Sequence, residues 1–292
     1  MIPFLTLTLR EDGPAVQAGI DRVLQRGWFV LGPELQAFEA EFAAACGAAH
    51  AVGVGTGTDA LAIALRALGI GPGDEVITSP LSAAYSALAI MMAGARPVFA
   101  DIDPDRLTID PHAIAAAITP RTAAIMPVHL YGQAADMPAI VAIAARHGLA
   151  IVEDCCQAHL ATCGGRPVGS FGAAAAYSFY PTKNLGALGD GGALTTPDAA
   201  TAARAARLRN GGQTDRYHHA EFGVNSRLDE LQAAILRARL PLLAGWTATR
   251  RSLAASYRTA LAAIDTVVVP PEADAGHVYH LFPVRSGARE VM

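Results

Sequence analysis

Short apolar runs alternate with longer alanine- and leucine-rich segments along most of this chain. The runs have the length of buried strands, and the longer segments repeat apolar residues at helical spacing. This alternation predicts an α/β fold, a three-layer α/β/α architecture around a mostly parallel seven-stranded sheet. The predicted strands are 51–54, 75–78, 96–100, 122–127, 150–153, 174–178 and 192–195, and the predicted helices include 33–46, 59–68, 83–93, 111–117, 137–147 and 199–209.

The pattern changes near residue 226. A long amphipathic helix is predicted from 226 to 237, and Pro241 interrupts its leucine-rich continuation to residue 257. Two strands are predicted after it, at 266–269 and 277–284. We therefore expect a large α/β domain over 1–240, followed by a linking helix and a partial small domain over 241–292.

Composition narrows the function classes. The net charge is -4 and the basic residues are scattered, which argues against a nucleic-acid partner. The N-terminus lacks a basic segment followed by an apolar core, and no apolar stretch reaches the roughly 18 residues of a membrane span, so a cytoplasmic location without membrane contact is predicted. The cysteines Cys46, Cys155, Cys156 and Cys163 have no metal-ligand spacing, so no metal site is predicted and buried thiols are expected.

One lysine lies in an unusual setting. Lys183 is placed in the loop SFYPTKNLG (178–186) rather than on a charged helical face, and lysine is rare in this chain. Such a loop is where an enzyme that uses pyridoxal 5'-phosphate would hold its cofactor as a Schiff base. The alternative is an ordinary solvated loop lysine.

Asp154 follows the nearly all-apolar run 150–153, so its carboxylate should lie at the carboxyl edge of the sheet, where open α/β folds bind ligands. It could pair with the ring nitrogen of the cofactor, or it could cap a helix or pair with an arginine. Glu153 should point to the opposite face, because successive strand residues alternate.

A small-residue turn, GTGT at 55–58, joins a predicted strand to a predicted helix. Free backbone N–H groups at a helix N-terminus favour a phosphate, although an ordinary capped turn has the same composition. The turn lacks the lysine of a Walker loop and the glycine spacing of dinucleotide folds, which disfavours a dehydrogenase.

Taken together, these segments resemble the sugar aminotransferases of the DegT/StrS type, pyridoxal-phosphate enzymes of the aspartate-aminotransferase fold (fold type I). The motifs that carry the resemblance are GPE at 32–34, FE at 38–39, GTGTDAL at 55–61, GPGDEV at 71–76, PVFADID at 97–103, PVHLYG at 127–132, ED at 153–154 with QAH at 157–159, SFYPTKNLG at 178–186 and NSRLDELQAA at 225–234. They cover essentially the whole chain in order.

The resemblance implies roles for individual residues. Lys183 would bind the cofactor covalently and carry protons, Asp154 would face the ring nitrogen, and Gln157 would neighbour the ring face or its hydroxyl. The implied phosphate ligands are Gly57, Thr58 and Ser178, together with Asn225, which would be lent across the interface of a homodimer with shared active sites.

Two departures from the family pattern stand out. Ala83 occupies the position where the family usually has an aromatic ring stacked on the cofactor; Tyr85 could supply that ring or be an ordinary helix residue. The sequence also ends shortly after HLFPVR (280–285), where similar enzymes continue, so we expect a C-terminally truncated small domain and compromised activity.

Two histidines lie near the predicted site. His159 could contact cofactor or substrate, whereas His129 is expected to be structural.

The function that the resemblance implies is transfer of an amino group, with glutamate as donor, to a nucleotide-linked keto-deoxysugar of a cell-surface polysaccharide or an antibiotic. The form of NSRLDELQAA favours amination of the sugar's third carbon. The alternatives are a regulatory or sensing protein of the same family with impaired catalysis, and a truncated inactive fragment.

Overall fold

The computed structural model describes residues 7–287, and seven of its strands form one central sheet. Each of the seven lies within one residue of its predicted bounds. The strands are β1 (His50–Val54), β2 (Glu75–Thr78), β3 (Arg96–Phe99), β4 (Thr122–Met126), β5 (Ala150–Asp154), β6 (Thr162–Cys163), β7 (Arg166–Pro167), β8 (Ala174–Ser178), β9 (Gly192–Thr196), β10 (Gln213–Asp215) and β11 (His218–His219). The order across the central sheet is β1-β9-β8-β5-β4-β2-β3, and β6 with β7 and β10 with β11 form separate two-stranded ladders.

The sheet is mostly parallel, as predicted. Only β9 runs against its neighbours, pairing antiparallel with β1 and β8. Strand β5 pairs parallel with β8, and the register sets Asp154 opposite Ala176, two residues before Ser178. The parallel strands therefore bring Asp154 and Ser178 to the same carboxyl edge of the sheet.

Helices cover both faces of the sheet. They are α1 (Gly13–Arg26), α2 (Pro33–Cys46), α3 (Gly57–Ala67), α4 (Tyr85–Met92), α5 (Pro111–Ala117), α6 (Met137–His147), α7 (Ala199–Leu208), α8 (Glu230–Arg239) and α9 (Leu243–Leu261). The sequence prediction missed α1, although Val16, Gly19 and Val23 are buried at helical spacing.

Strand β8 shows how the sheet divides the core. Ala174 and Ala176 lie in one apolar cluster, whereas Ala175 and Tyr177 lie in the other. Because alternate strand residues face opposite sides, the two clusters are the two helix-covered faces of one sheet. This confirms the three-layer architecture.

The start of helix α8 differs from the prediction. The helix predicted from 226 begins at Glu230, because the Ser226 side chain is committed to bonds with Gly55 N–H and the Asp59 carboxylate. Pro241 does interrupt the helix, as a 3-10 turn over Leu240–Leu242, and α9 then runs on to Leu261.

The two strands predicted at 266–269 and 277–284 were wrong. The backbone there is irregular, and one isolated bridge joins Val268 to Arg285, a residue just beyond the second segment. Tyr279 has φ +45°, which breaks an extended run, and Val278 N–H bonds instead to the carbonyl of Gly132. The apolar pattern at 277–284 therefore results from burial against the loop at 130–132 and does not indicate a strand.

Within residues 7–287, no helix is long and apolar enough to cross a membrane. The division between residues 240 and 241 stays a prediction, and the ends of both predicted domains, 1–6 and 288–292, lie outside the described residues.

Candidate active site

A cleft of about 550 Å³ opens at the carboxyl edge of the sheet, and the predicted lysine and aspartate both line it. Its walls come from the turn before α3, the start of α4, the end of β5 and the loop after β8. The lining residues are Thr56, Gly57, Thr58, Leu61, Ser82, Ala83, Tyr85, Ser86, Val128, Asp154, Cys156, Gln157, Ser178, Tyr180, Thr182, Lys183, Asp190 and Gly191.

Asp154 is held by two hydrogen bonds. Its Oδ2 accepts from Ser86 Oγ at 2.8 Å, and its Oδ1 accepts from the backbone N–H of Cys156 at 3.1 Å. The residue is only 5% exposed. No arginine partner is among these contacts, so the carboxylate keeps acceptor capacity toward the cleft.

Lys183 is the only lysine of the 292 residues. Its backbone N–H bonds to the carbonyl of Tyr180 at 2.8 Å, which folds the loop back on itself. A side chain at Gly186 would bring its Cβ to 2.5 Å from the carbonyl oxygen of Pro181, so this tight turn requires glycine. The loop therefore presents the amine from a fixed backbone.

The predicted phosphate turn is the N-terminus of α3. Thr56 caps the helix by accepting from Asp59 N–H at 3.0 Å, while Gly57 and Thr58 line the cleft. A Cβ at Gly57 would lie 2.7 Å from Ser178 Cβ, so the two backbones approach closely here. Three predicted phosphate ligands thus converge at a helix N-terminus, the arrangement that favours an anion.

Gln157 lines the cleft beside Asp154. Its Oε1 accepts from the backbone N–H of Tyr131 at 2.8 Å, and Tyr131 itself has φ +60°. The amide is thereby fixed by a strained loop on the neighbouring strand, with its –NH₂ group left as a donor.

His159 has a different environment from the one the sequence suggested. It is fully buried among Tyr177 and Phe179, with ring centroids 5.8 Å away in each case, and it is not among the residues that line the cleft. Burial, and secondarily the charge of Lys183, lowers the pKa of the imidazole to about 3, against a weak opposing effect of the Ser178 backbone. Neither ring nitrogen has a hydrogen-bond partner within residues 7–287.

Tyr85 and Ala83 both line the cleft, and the Tyr85 side chain is largely exposed. Asn225 lies apart from it: this residue is exposed, and its backbone bridges to Asn210. The neighbouring Ser226 nevertheless ties the segment to the phosphate turn, because its hydroxyl accepts from Gly55 N–H at 2.9 Å and donates to Asp59 at 2.8 Å.

Glu153 points away from the cleft, as predicted, and forms a buried network with His129. Its carboxylate accepts from His129 Nε2 and from the backbone N–H groups of Gly169, Phe171 and Gly172. His129 Nδ1 in turn accepts from Ala135 N–H at 3.1 Å. The ligand atoms of His129, Glu153 and Cys155 lie within 4.8 Å of one another, but hydrogen bonds occupy both histidine nitrogens and both carboxylate oxygens.

Sequence reasoning missed Ser86, the direct partner of Asp154, although it named Tyr85 next to it. It also grouped Cys156 with the buried thiols, whereas only Cys46, Cys155 and Cys163 are of that class. Cys156 lines the cleft and is partly exposed there, and desolvation of the thiolate, together with the charge of Asp154, raises the pKa of this thiol well above the usual range. No local sequence pattern marks Ser86 or Cys156 as a site residue. Their roles follow from the packing of α4 beside the end of β5.

The chemistry of these groups fits pyridoxal phosphate. The cleft offers the amine of Lys183, the buried carboxylate of Asp154 with spare acceptor capacity, and a helix N-terminus lined by Gly57, Thr58 and Ser178. A primary amine, an acid for a ring nitrogen and an anion site are the groups that this cofactor requires.

Comparison with known proteins gives the same result. A model of the DegT/DnrJ/EryC1/StrS aminotransferase family matches residues 11–291. The chain is 51% identical to the dTDP-3-amino-3,4,6-trideoxy-alpha-D-glucose transaminase of Streptomyces venezuelae, covering 99% of this chain and 77% of the relative, and 47% identical to a pleiotropic regulatory protein of Geobacillus stearothermophilus, covering 99% and 79%. The crystal structure of S. venezuelae DesV matches with a TM-score of 0.97 at 50% identity, covering 99% of this chain and 79% of DesV.

Proposed function

The chain belongs to the DegT/DnrJ/EryC1/StrS aminotransferase family, and from that premise we propose its substrates and the roles of its site residues. It is a pyridoxal-phosphate-dependent aminotransferase, and we propose that it moves an amino group from glutamate to a nucleotide-linked keto-deoxysugar. The observation that carries the proposal is that Lys183 and Asp154 line one cleft with the N-terminus of α3.

When bound, pyridoxal phosphate supplies an electron sink for the charge left on carbon after proton removal. Lys183 would hold its aldehyde carbon covalently and, once displaced by the amino donor, would hold and move a proton at Nζ. Asp154 would accept from the ring N–H. Gly57, Thr58 and Ser178 would bind the phosphate, and Gln157 would contact the ring.

Two further roles complete the proposal. Tyr85 would cover part of the ring beside the small Ala83, because both line the cleft. His159 would act from behind the cleft wall, as an uncharged neighbour that adds no positive charge near Lys183. For location we propose the cytoplasm, which suits four cysteines present as free thiols.

We also propose that amination occurs at the third carbon of the sugar. The support is the form of residues 225–234 and the name of the Streptomyces relative, a transaminase that makes a 3-amino sugar. A screen of keto-sugar nucleotides with glutamate as donor tests this, since product mass and carbon position identify the substrate. Turnover confined to 4-keto sugars would contradict it.

The single lysine makes a clean test of the chemistry. Borohydride reduction of the protein incubated with pyridoxal phosphate should leave one phosphopyridoxyl group on the peptide that contains Lys183. Lys183→Arg keeps the positive charge but cannot be trapped, so it should lose both the label and glutamate-dependent transamination. Retention of transamination by this variant would refute the assignment.

We propose that the protein acts as a homodimer, and the exposed face of α4 supports this. Tyr85, Leu88 and Met92 lie at helical spacing with Met91 beside them, and all four are exposed apolar side chains. An apolar helix face at the rim of the cleft suits a second copy of this chain. Leu88→Glu should then convert a dimer to a monomer in light scattering, while Ala142→Glu, at an exposed position of α6, should not.

Asn225 would reach the phosphate of the partner's site in such a dimer. A mixture of Lys183→Ala and Asn225→Ala chains tests this, because a hybrid dimer contains one site with both residues intact. About half of randomly mixed dimers are hybrids, so about a quarter of sites should regain tight cofactor binding. No recovery would refute the sharing of Asn225 across the interface.

A regulatory function is the second candidate, and it is favoured by the name of the Geobacillus relative. A sensor would bind pyridoxal phosphate but would not turn it over with glutamate. Conversion of the bound cofactor to its amine form by glutamate therefore separates the two functions.

A further inference from the structure

Two serines lead from the cleft to the buried aspartate. Ser86 is 3% exposed and donates to Asp154 Oδ2 at 2.8 Å. Ser82 Oγ lies 3.0 Å from Ser86 Oγ, and Ser82 lines the cleft. The three side chains form a continuous hydrogen-bonded row in the wall of the cleft.

The direction of the row follows from counting protons. A serine hydroxyl has one proton, and that of Ser86 is committed to the carboxylate, which can only accept. Ser86 must therefore accept from Ser82, so Ser82 donates inward. Asp154 Oδ1 is fixed separately by Cys156 N–H. Both carboxylate oxygens thus have a donor, and the plane of the group is set from two directions.

We propose that Ser86, oriented by Ser82, is a positioning residue that holds the Asp154 carboxylate in the orientation that receives the N–H of the cofactor ring. This rests on the proposed function, in which Asp154 faces that nitrogen. Without the Ser86 hydroxyl, Asp154 retains only the Cys156 N–H, and its Oδ2 is free to turn away from the ring. Ser82 acts one step further out.

Loss of the Ser86 hydroxyl should change two properties of the bound cofactor, its affinity and the pH at which its visible band titrates. A hydrogen bond to a charged acceptor that preorganises the site corresponds to a loss of about tenfold in cofactor affinity when it is removed. A weaker contact between the carboxylate and the ring also leaves less positive charge on the ring. Because a nearby positive charge favours loss of a proton, the visible band of the lysine-bound cofactor should then titrate at higher pH.

Four variants of the full chain test the proposal: Ser86→Ala, Ser86→Thr, Asp154→Asn, and Ser86→Ala combined with Asp154→Asn. The measurements are the dissociation constant of pyridoxal phosphate by equilibrium dialysis, the pH midpoint of the visible band, and urea unfolding without cofactor. Ser79→Ala is the matched control, because Ser79 is equally buried and, within residues 7–287, its hydroxyl bonds only to Leu81.

Ser86→Ala should weaken cofactor binding about tenfold and raise the pH midpoint, and Ser86→Thr, which restores the hydroxyl, should return both values toward the parent. With Asp154→Asn already present, Ser86→Ala should have little further effect on binding, because the residue acts through Asp154. Ser79→Ala should leave the midpoint unchanged.

The failures are distinguishable. If the parent binds the cofactor and Asp154→Asn weakens binding, yet Ser86→Ala changes only urea unfolding, the positioning role is overturned and the function stands. If Ser86→Ala weakens binding equally with and without Asp154, the role is also overturned. A parent that binds no pyridoxal phosphate overturns both the function and the inference.

Discussion

Glu153 and Asp154 are adjacent carboxylates, and replacing each by its amide should affect a different property. Glu153→Gln should lower the stability of the fold, whereas Asp154→Asn should weaken cofactor binding. Glu153 is completely buried, and Oε2 accepts from His129 Nε2 at 3.1 Å and from Gly169 N–H at 2.7 Å. In Glu153→Gln an amide –NH₂ would face both of these donors if the remaining oxygen keeps its bonds to Phe171 and Gly172.

The histidine cannot relieve this conflict. His129 Nδ1 accepts from Ala135 N–H, so the proton of the neutral ring stays on Nε2 and points at residue 153. Two hydrogen bonds to a charged acceptor are lost, at about 1.5–3 kcal/mol each. We therefore expect Glu153→Gln to lower the free energy of unfolding by roughly 3–6 kcal/mol, a large part of the 5–15 kcal/mol typical of a folded protein.

Asp154→Asn should cost about 1 kcal/mol or less, because its partners can adapt. The amide oxygen can accept from Cys156 N–H, and the –NH₂ group can donate to Ser86 Oγ, whose hydroxyl is free to rotate toward Ser82. The fold should survive, whereas the acceptor for the ring N–H becomes a donor. Cofactor binding and transamination should fall instead.

Urea unfolding at one fixed protein concentration, followed by circular dichroism, measures the first effect, since dimerisation would make stability concentration-dependent. Equilibrium dialysis of pyridoxal phosphate measures the second. If Glu153→Gln changes stability by less than 1 kcal/mol while the slope of the urea transition is unchanged, the reasoning from this buried network is wrong. Equal stability losses in the two variants would contradict the proposed division of roles.

Two further outcomes are expected. Glu230 is fully buried and caps α2 by accepting from the backbone N–H groups of Gly32, Glu34 and Leu35. Glu230→Ala should therefore lower the free energy of unfolding by about 3 kcal/mol in urea titrations. The control Glu41→Gln, on the exposed side of the same helix, should lower it by about 1 kcal/mol or less. Burial lowers the pKa of His159, His277 and His280 to about 3 each, so the unfolded chain binds more protons than the folded chain between pH 6.5 and 3, and stability should fall as pH falls through that window. His159→Phe should reduce the slope of stability against pH by up to about 1.4 kcal/mol per pH unit below pH 6, and an unchanged slope would show that this histidine is not buried uncharged.

The sheet was predictable because its strands are continuous apolar runs. Such a run has few alternatives to burial in a parallel sheet, and the seven strands accordingly appear within one residue of their expected bounds. The apolar residues at 277–284 satisfy the same local criterion, yet they form no strand. Val278 and Leu281 instead bond through their N–H groups to Gly132 and Tyr131, in a loop about 150 residues earlier in the chain. Contacts with so distant a loop decide the backbone conformation here, and they leave no signal in the local periodicity of the sequence.

The residues of the candidate site also differ in whether local sequence or tertiary packing reveals them. Lys183, Asp154 and Gly57 were recognisable because each lies in a local context that implies its chemistry: a loop lysine, an acid at a strand end and a glycine before a helix. Ser86 has no such context, since a serine on a helix is most often structural or solvated. Its importance arises because α4 packs where its hydroxyl meets the end of β5, 68 residues further along the chain. Sequence reasoning therefore identifies groups that touch a ligand more readily than groups that orient them, and it is the second class that the Ser86 experiment tests.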